Sequence, residues 1–217
     1  MIATLKQIPL FFGLSDEELS HVEASAAART YAKGTIIINE GEAGSSMFLL
    51  VQGRMKVFVS DANGKEYILA VLRPGEYVGE LALLDDEPRT ASVETEDQCS
   101  FLVIQKEDFL KLMHDHPHIQ FKVLVNLVHR TRQLTEAVKN LALRDVYTRV
   151  RFLFEDLAVE RDGQVMVEEP MTQQAIADRV GSSREMVARI MKELVFGGYV
   201  RIENRRLIIV QKLPDAF

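Results

Sequence analysis

Residues 79–91 read Gly79-Glu80-Leu81-Ala82-Leu83-Leu84-Asp85-Asp86-Glu87-Pro88-Arg89-Thr90-Ala91, after a turn signal at Pro74-Gly75 and a short apolar pair, Tyr77-Val78. Gly79 permits close backbone approach and an unusual φ. Leu81 to Leu84 are good helix formers, which predicts one short helix beginning at Glu80. The start of a helix offers unpaired N–H groups and partial positive charge, which suit a phosphate. Arg89 follows Pro88 with a fork of donors that matches phosphate oxygens. Glu80 stands where the helix dipole tolerates a carboxylate, and a carboxylate accepts hydrogen bonds from sugar hydroxyls. These residues point to one phosphate and one ribose, held without a metal. The plain alternative is a capped surface helix whose Arg89 pairs with Asp85 or Asp86.

The run resembles the phosphate-binding cassette of cyclic-nucleotide-binding domains, with Gly79, Glu80, Leu81, Ala82, Pro88, Arg89 and Ala91 in register and without a gap. The resemblance implies a cyclic nucleotide held by Gly79, Glu80, Leu81, Ala82, Arg89 and Thr90. A hydroxyl at Thr90 suits a phosphate, and in cyclic-GMP-binding relatives it meets a guanine amino group. Cyclic AMP therefore comes first and cyclic GMP second.

With 217 residues, the chain suits one large or two modest domains. No run approaches the length needed to cross a bilayer, and Met1 to Leu14 lacks the basic start and long apolar core of a signal peptide. The single cysteine, Cys99, allows no internal disulfide and no all-cysteine metal or iron–sulfur site. The expectation is a cytoplasmic protein without a membrane partner. Charge divides unevenly. Residues 1–140 carry 14 basic and 20 acidic side chains, a balance of −6, whereas residues 171–213 carry 8 and 4, a balance of +4. A basic C-terminal piece on an acidic body is compatible with DNA contact by that piece alone.

Ser15-Asp16-Glu17-Glu18 is a capping box that opens a helix running to about Ala27. Short β-branched or aromatic runs follow at Thr35–Ile38, Met47–Val51, Lys56–Ser60, Tyr67–Leu72, Ser92–Glu94 and Ser100–Ile104. Glycines punctuate them, and Asn63-Gly64 marks a hairpin. Short strands at this spacing predict a small antiparallel barrel or jelly roll, with the ligand in its mouth. Such barrels also serve as metalloenzymes, which need inward histidines. The histidines are His21, His114, His116, His118 and His129, and none falls in the predicted barrel. His114-x-His116-x-His118 is split by Pro117, which starts a helix, so we expect neither a metal site nor catalytic residues.

From Pro117 to about Leu143 the chain reads as one long helix. Leu124, Leu127, Thr131, Leu134, Val138 and Leu141 recur at steps of 3, 4, 3, 4 and 3, a heptad seam that predicts a parallel homodimer. The alternative is a stripe packed on the chain's own barrel, and one helix can do both.

Asp145 caps a further helix, Val146 to about Glu160, that buries Val150, Leu153, Phe154 and Leu157. Asp162-Gly163 turns the chain, Val165–Val167 is strand-like and Pro170 ends it. Between Thr172 and Ile190, the residues Ala177, Gly181, Val187 and Ile190 fall at helix-turn-helix spacing. Val200–Ile202 and Leu207–Val210 flank a turn at Asn204-Arg205, which makes a wing hairpin. The second helix, about Ser183 to Phe196, turns Val187, Ile190, Met191 and Leu194 inward. Arg184, Glu185, Ala188, Arg189 and Lys192 face out. Arginine reads guanine and a carboxylate reads cytosine in the major groove. Alternatively Ser182-x-x-Glu185 is itself a capping box.

The whole arrangement resembles the cyclic-AMP receptor protein / fumarate-nitrate reductase regulator (CRP/FNR) superfamily, over almost the entire chain. The resemblance implies an α+β fold: a cyclic-nucleotide-binding barrel or jelly roll over 1–115, a dimerisation helix and hinge over 116–143, and a winged helix-turn-helix over 144–217. It implies Arg184, Glu185 and Arg189 as base readers, suited to a G-T-G-A-like half-site, with Thr172, Gln174 and Ser183 on phosphates and Lys192 beside them. It places Leu134 and Thr135 at the base-contacting positions of the long helix, where Leu134 departs from the usual threonine. The implied function is transcription regulation by a homodimer on double-stranded DNA, with RNA polymerase as a further partner. Because Leu134 cannot hydrogen-bond a purine, cyclic di-GMP or no effector at all stand as alternatives, with a barrel metalloenzyme well behind.

Overall fold

The computed structural model describes residues 5–6, 8–161 and 163–215; Asp162 of the expected turn and part of the Met1–Leu14 stretch lie outside them. The chain divides into two compact units, 1–59 with 68–132, and 60–67 with 133–217.

In the N-terminal unit, a single 3-10 turn, Pro9–Phe11, precedes helix α1, Asp16–Ser25. The capping box forms as expected: Ser15 accepts from Glu18 N, and Glu18 accepts from Ser15 N at 2.6 Å. The helix stops at Ser25 rather than near Ala27, because Ala26–Tyr31 forms strand β1, paired antiparallel with β8 (Cys99–Gln105). An alanine run favours helix, but six residues of ladder along β8 outweigh that preference. The remaining strands are β2 (Ile36–Ile38), β3 (Ser46–Gln52), β4 (Met55–Ser60), β5 (Glu66–Leu72), β6 (Tyr77–Val78) and β7 (Ser92–Thr95). They form two four-stranded sheets, ordered β1-β8-β3-β6 and β2-β7-β4-β5.

Strand β3 explains how the layers stack. Successive side chains point to opposite faces, yet Met47, Phe48, Leu49 and Leu50 are all buried. Phe48 and Leu50 join Ile38, Met55, Val93 and Phe101 between the sheets. Met47 and Leu49 face the other way, into a second cluster with Leu19, Val22, Leu83, Phe109, Met113, Ile119 and Val123. These come from α1, α2 (Leu81–Leu84), α3 (Lys106–Asp115) and the long helix α4 (Pro117–Leu143). The barrel thus has one sheet covered by helices, and α4 begins as part of that cover.

In the C-terminal unit, Asp145 caps α5, Val146–Leu157, by accepting from Thr148 N at 2.7 Å. This helix ends before Glu160, because Ala158–Arg161 becomes strand β9 on the edge of a sheet ordered β11-β12-β10-β9. Strand β10 is Gln164–Val167, β11 is Val200–Glu203 and β12 is Arg206–Ile209. Helices α6, Gln173–Val180, and α7, Arg184–Phe196, form the helix-turn-helix. Gly181 ends α6 in the left-handed region at φ 65°, as a helix C-terminus commonly requires. One core joins Val150 and Phe154 of α5, Ile176 and Ala177 of α6, Val187, Ile190, Met191 and Leu194 of α7, and Val167, Val200 and Leu207 of the sheet.

Candidate functional site

The cassette is a strand end, a four-residue helix and a return loop. Glu80 stands in the helix N-cap position but makes no cap hydrogen bond. It is instead 0 % exposed, and its Oε1 lies 2.7 Å from Arg130 Nη1 on α4. Arg130 also donates to Tyr77 O and stacks its guanidinium 5.4 Å from the Tyr77 ring centre. Burial pushes the Glu80 carboxyl up, and the Arg130 charge opposes that rise. Glu80 Oε2 is buried and has no hydrogen-bond partner among the described residues. A carboxylate oxygen left so costs free energy unless a donor reaches it.

Arg89 is 8 % exposed. It does not pair with Asp85 or Asp86, as the surface-helix alternative required. Its Nη1 donates to Gly79 O and its Nη2 to Ser46 O, each at 2.6 Å; Asp86 is taken by Lys106. The loop between β2 and β3 closes on the cassette through Arg89 N to Glu42 O and Gly41 N to Arg89 O, both 2.8 Å. The approach leaves no room for side chains. A Cβ at Gly44 would stand 2.6 Å from the Ala82 Cβ, and one at Gly79 would stand 2.5 Å from Arg89 Nη1, with φ at 93° besides. Of the other cassette residues, Ala82 is buried, while Leu81 and Thr90 are exposed.

Arg130 was not among the expected site residues. Ile119, Val123 and Arg130, at steps of four and seven, share the face of α4 turned to the barrel cluster. The seam residues lie mostly on the other side. Leu124, Thr131, Leu134, Val138 and Leu141 are exposed, and Leu127 is partly buried against the barrel cluster. Phe121 and Val128 widen the exposed apolar stripe. Thr135 is exposed and belongs, with Leu134, to the C-terminal unit. The histidine trio is spread over the end of α3, its C-cap and the start of α4. His116 Nδ1 lies 3.1 Å from Glu18. Among the described residues no group of three or more His, Cys, Asp or Glu is placed to hold a metal, and no helix is long and apolar enough to cross a membrane.

On the helix-turn-helix, Thr172, Gln174, Ser183, Arg184, Glu185, Arg189 and Lys192 are all exposed. Thr172 and Ser183 are N-caps, accepting from Ala175 N at 3.1 Å and Met186 N at 3.2 Å. The cap of α7 is therefore Ser183, one residue later than the Ser182 box, because Ser182 N closes the turn on Ala177 O. Gln174 bonds Asp178 at 2.7 Å. Arg184, Glu185, Ala188, Arg189 and Lys192 thus form one outward face of α7, with the apolar residues opposite.

Comparison with known proteins agrees with both halves. Residues 28–116 match the cyclic nucleotide-binding domain, and residues 149–214 match the Crp-like helix-turn-helix domain. The chain is 29% identical over 198 residues to the cyclic AMP receptor protein of Thermus thermophilus, covering 91% of this chain and 90% of that protein. It is also 29% identical over 183 residues to the cAMP-activated global transcriptional regulator CRP of Escherichia coli, covering 82% and 87%. Among solved structures, the c-di-GMP responsive global regulator CLP of Xanthomonas campestris shares the fold, with a TM-score of 0.80 at 23% identity over 91% of this chain and 100% of that one. An N-terminal nucleotide-binding barrel, a long helix and a winged helix-turn-helix occur here in one chain, which belongs to the CRP/FNR family of DNA-binding transcription regulators.

Proposed function

We propose that this regulator senses a cyclic nucleotide, cyclic AMP before cyclic GMP, in the barrel of residues 1–115. In this reading Gly79, Glu80, Leu81, Ala82, Arg89 and Thr90 hold the ribose and the cyclic phosphate. Leu134 and Thr135 lie along the base. The observation that carries the assignment is the pair of desolvated charges at the cassette. The fully buried Glu80 has one oxygen without a donor, and the Arg89 fork is held by two carbonyls. A ribose hydroxyl supplies the missing donor, and a phosphate supplies the paired anion that Arg89 lacks among the described residues. Arg130 joins the site as a positioning residue that orients Glu80.

The exposed stripe of α4 supports a homodimer through Leu124, Leu127, Thr131, Leu134, Val138 and Leu141 over residues 116–143. Residues 144–217 then present two copies of α7 to a two-fold DNA site, about one duplex turn apart. Arg184, Glu185 and Arg189 read bases, Thr172, Gln174 and Ser183 contact phosphates, and Lys192 meets the DNA beside them. The setting is a cytoplasmic regulator acting with RNA polymerase. Nucleotide controls DNA binding only in proportion to its differential affinity for the DNA-competent arrangement.

Calorimetry of the full chain with cyclic AMP, cyclic GMP, cyclic di-GMP and 2′-deoxy-cyclic AMP tests the reading. Cyclic AMP should bind most tightly, and loss of the 2′-hydroxyl should weaken it by roughly tenfold or more, as an unpaired buried acceptor demands. Binding of cyclic di-GMP alone would move the effector to the alternative that the leucine at position 134 leaves open. No binding of any of the four would remove the sensor role.

A further inference from the structure

The wing carries a conformational cost that its own packing does not explain. Strands β11 and β12 pair from Val200–Ile209 to Glu203–Arg206, leaving a two-residue turn of Asn204 and Arg205. Both residues are left-handed, with φ of 49° and 65°. Such turns favour Asn-Gly, because the second residue has positive φ and only glycine adopts it without strain. Here that position is an arginine. Strain of this kind persists where something else requires the residue.

The charges around the turn sharpen the point. Glu203 is engaged by Arg201, Nε to Oε1 at 3.0 Å. Arg205 is exposed, and among the described residues it has no carboxylate partner, hydrogen bond or aromatic neighbour. The tip therefore offers a whole guanidinium to an outside partner. Its position indicates which one. Ile202 of β11 lines a cavity of about 420 Å³ together with Gln173 at the start of α6 and Ala188 and Lys192 of α7. The wing thus borders the outward face of the recognition helix. Arg205 lies on the turn two steps beyond the Ile202–Leu207 pair, roughly 7 Å further along the ribbon at strand rise. When α7 occupies a major groove, an arm of that reach beside it meets the adjacent backbone and the minor groove behind it.

We propose that Arg205 inserts into the minor groove flanking the segment read by α7, and selects A·T-rich flanks. This inference rests on the DNA-reading assignment above. A·T tracts narrow the minor groove and deepen its negative potential, which attracts an unpaired arginine. A guanine amino group would obstruct the same approach. Arg205 would therefore add specificity at base pairs that α7 does not touch.

The test uses the full chain with cyclic AMP and a two-fold duplex selected from a random pool, remade with A·T, G·C or inosine·cytosine flanks. Inosine·cytosine keeps the G·C pattern in the major groove but lacks the minor-groove amino group. The wild type should prefer A·T and inosine·cytosine over G·C flanks by about tenfold, the scale of one unfavourable base pair. Arg205→Gly should remove that preference while thermal stability stays equal or rises, since glycine relieves the turn. Arg205→Ala should lose the same preference. A loss equal across all flanks, with a shallower salt dependence, would overturn the inference and make Arg205 a phosphate contact. A wild type indifferent to its flanks but specific for the core site would also overturn it and leave DNA reading intact. A wild type that binds no selected duplex would overturn both.

Discussion

Glu80 and Arg89 are 0 % and 8 % exposed, whereas Arg184, Glu185, Arg189 and Lys192 all stand open to solvent. The two sites hold charge under opposite conditions. In the cassette, each charged group is desolvated and held by a neighbour: Arg130 on Glu80, and two carbonyls on Arg89. On α7 the charged groups are hydrated and carry few internal bonds. A buried charge is strongly coupled to the fold around it, and an exposed one hardly at all. Substitutions in the cassette should therefore alter stability and binding together, and substitutions on α7 should alter binding alone.

The largest effect should come from Arg130→Ala. It leaves the fully buried Glu80 without its counter-charge, which costs roughly 3–5 kcal/mol in chemical denaturation. Glu80→Ala should cost less, because the Arg130 side chain is 27% exposed and can turn to water. The pH dependence has a defined sign. Burial already raises the Glu80 carboxyl, and removing Arg130 removes the larger of the two charges opposing that rise, leaving only the more weakly acting Arg89. The folded state then holds the proton more tightly than the unfolded state. Stability of Arg130→Ala should be highest where the carboxyl is protonated, and fall as pH rises from the ordinary carboxylate range towards the raised value. A small loss, flat with pH, would show that Glu80 does not depend on this partner.

Arg89→Ala comes next. Two charge-assisted bonds, at roughly 1.5–3 kcal/mol each, imply about a hundredfold or greater loss of cyclic AMP affinity by calorimetry. The same substitution strips donors from Gly79 O and Ser46 O, so we also expect about 1–3 kcal/mol lower stability. A variant as stable as the wild type would mean that the guanidinium serves the ligand only.

Arg184→Ala tests the other side of the comparison. Exposed at the first turn of α7, Arg184 should leave thermal unfolding unchanged. Its loss should cost roughly 1–3 kcal/mol of DNA affinity and relax specificity at one base pair. An equal loss across all sequences would recast it as a phosphate contact.

The same contrast governs what could be read in the sequence. Glu80 and Arg89 were legible because a gapless run of residue types marks the cassette. The backbone oxygens of Gly79 and Ser46 that hold Arg89 were not, since a carbonyl has no side-chain signature. Arg130 carries a signal separate from the apolar seam: a charged residue recurring on the Ile119–Val123 face of a helix that must cover the barrel. The six expected barrel strands all form, with ends shifted by at most one residue. Of the missed strands, Tyr77–Val78 is only two residues long, while Ala26–Tyr31 and Ala158–Arg161 both continue helix-favouring sequence. Ala158–Arg161 is set by the next strand in the chain, β10, and Ala26–Tyr31 by the distant β8. Local propensity does not report that partner. On α7 the division into inward Val187, Ile190, Met191 and Leu194 and an outward charged face was legible from period alone, because both faces follow from one helix.

The smallest expected effect separates two roles that coincide in one hydroxyl. Thr172 accepts the Ala175 N–H as the cap of α6, and its own O–H remains available as a donor to a phosphate. Thr172→Ala removes both, so a loss of affinity there would not tell cap from contact. Thr172→Asp keeps a good cap and places a negative charge beside the proposed phosphate. Stability should stay within about 0.5 kcal/mol of the wild type. DNA affinity should fall for every sequence alike, with a salt dependence shallower by about one unit. If affinity is unchanged, Thr172 is only a cap, and the phosphate contacts of α6 must then come from Gln174 or from the backbone N–H groups of its first turn.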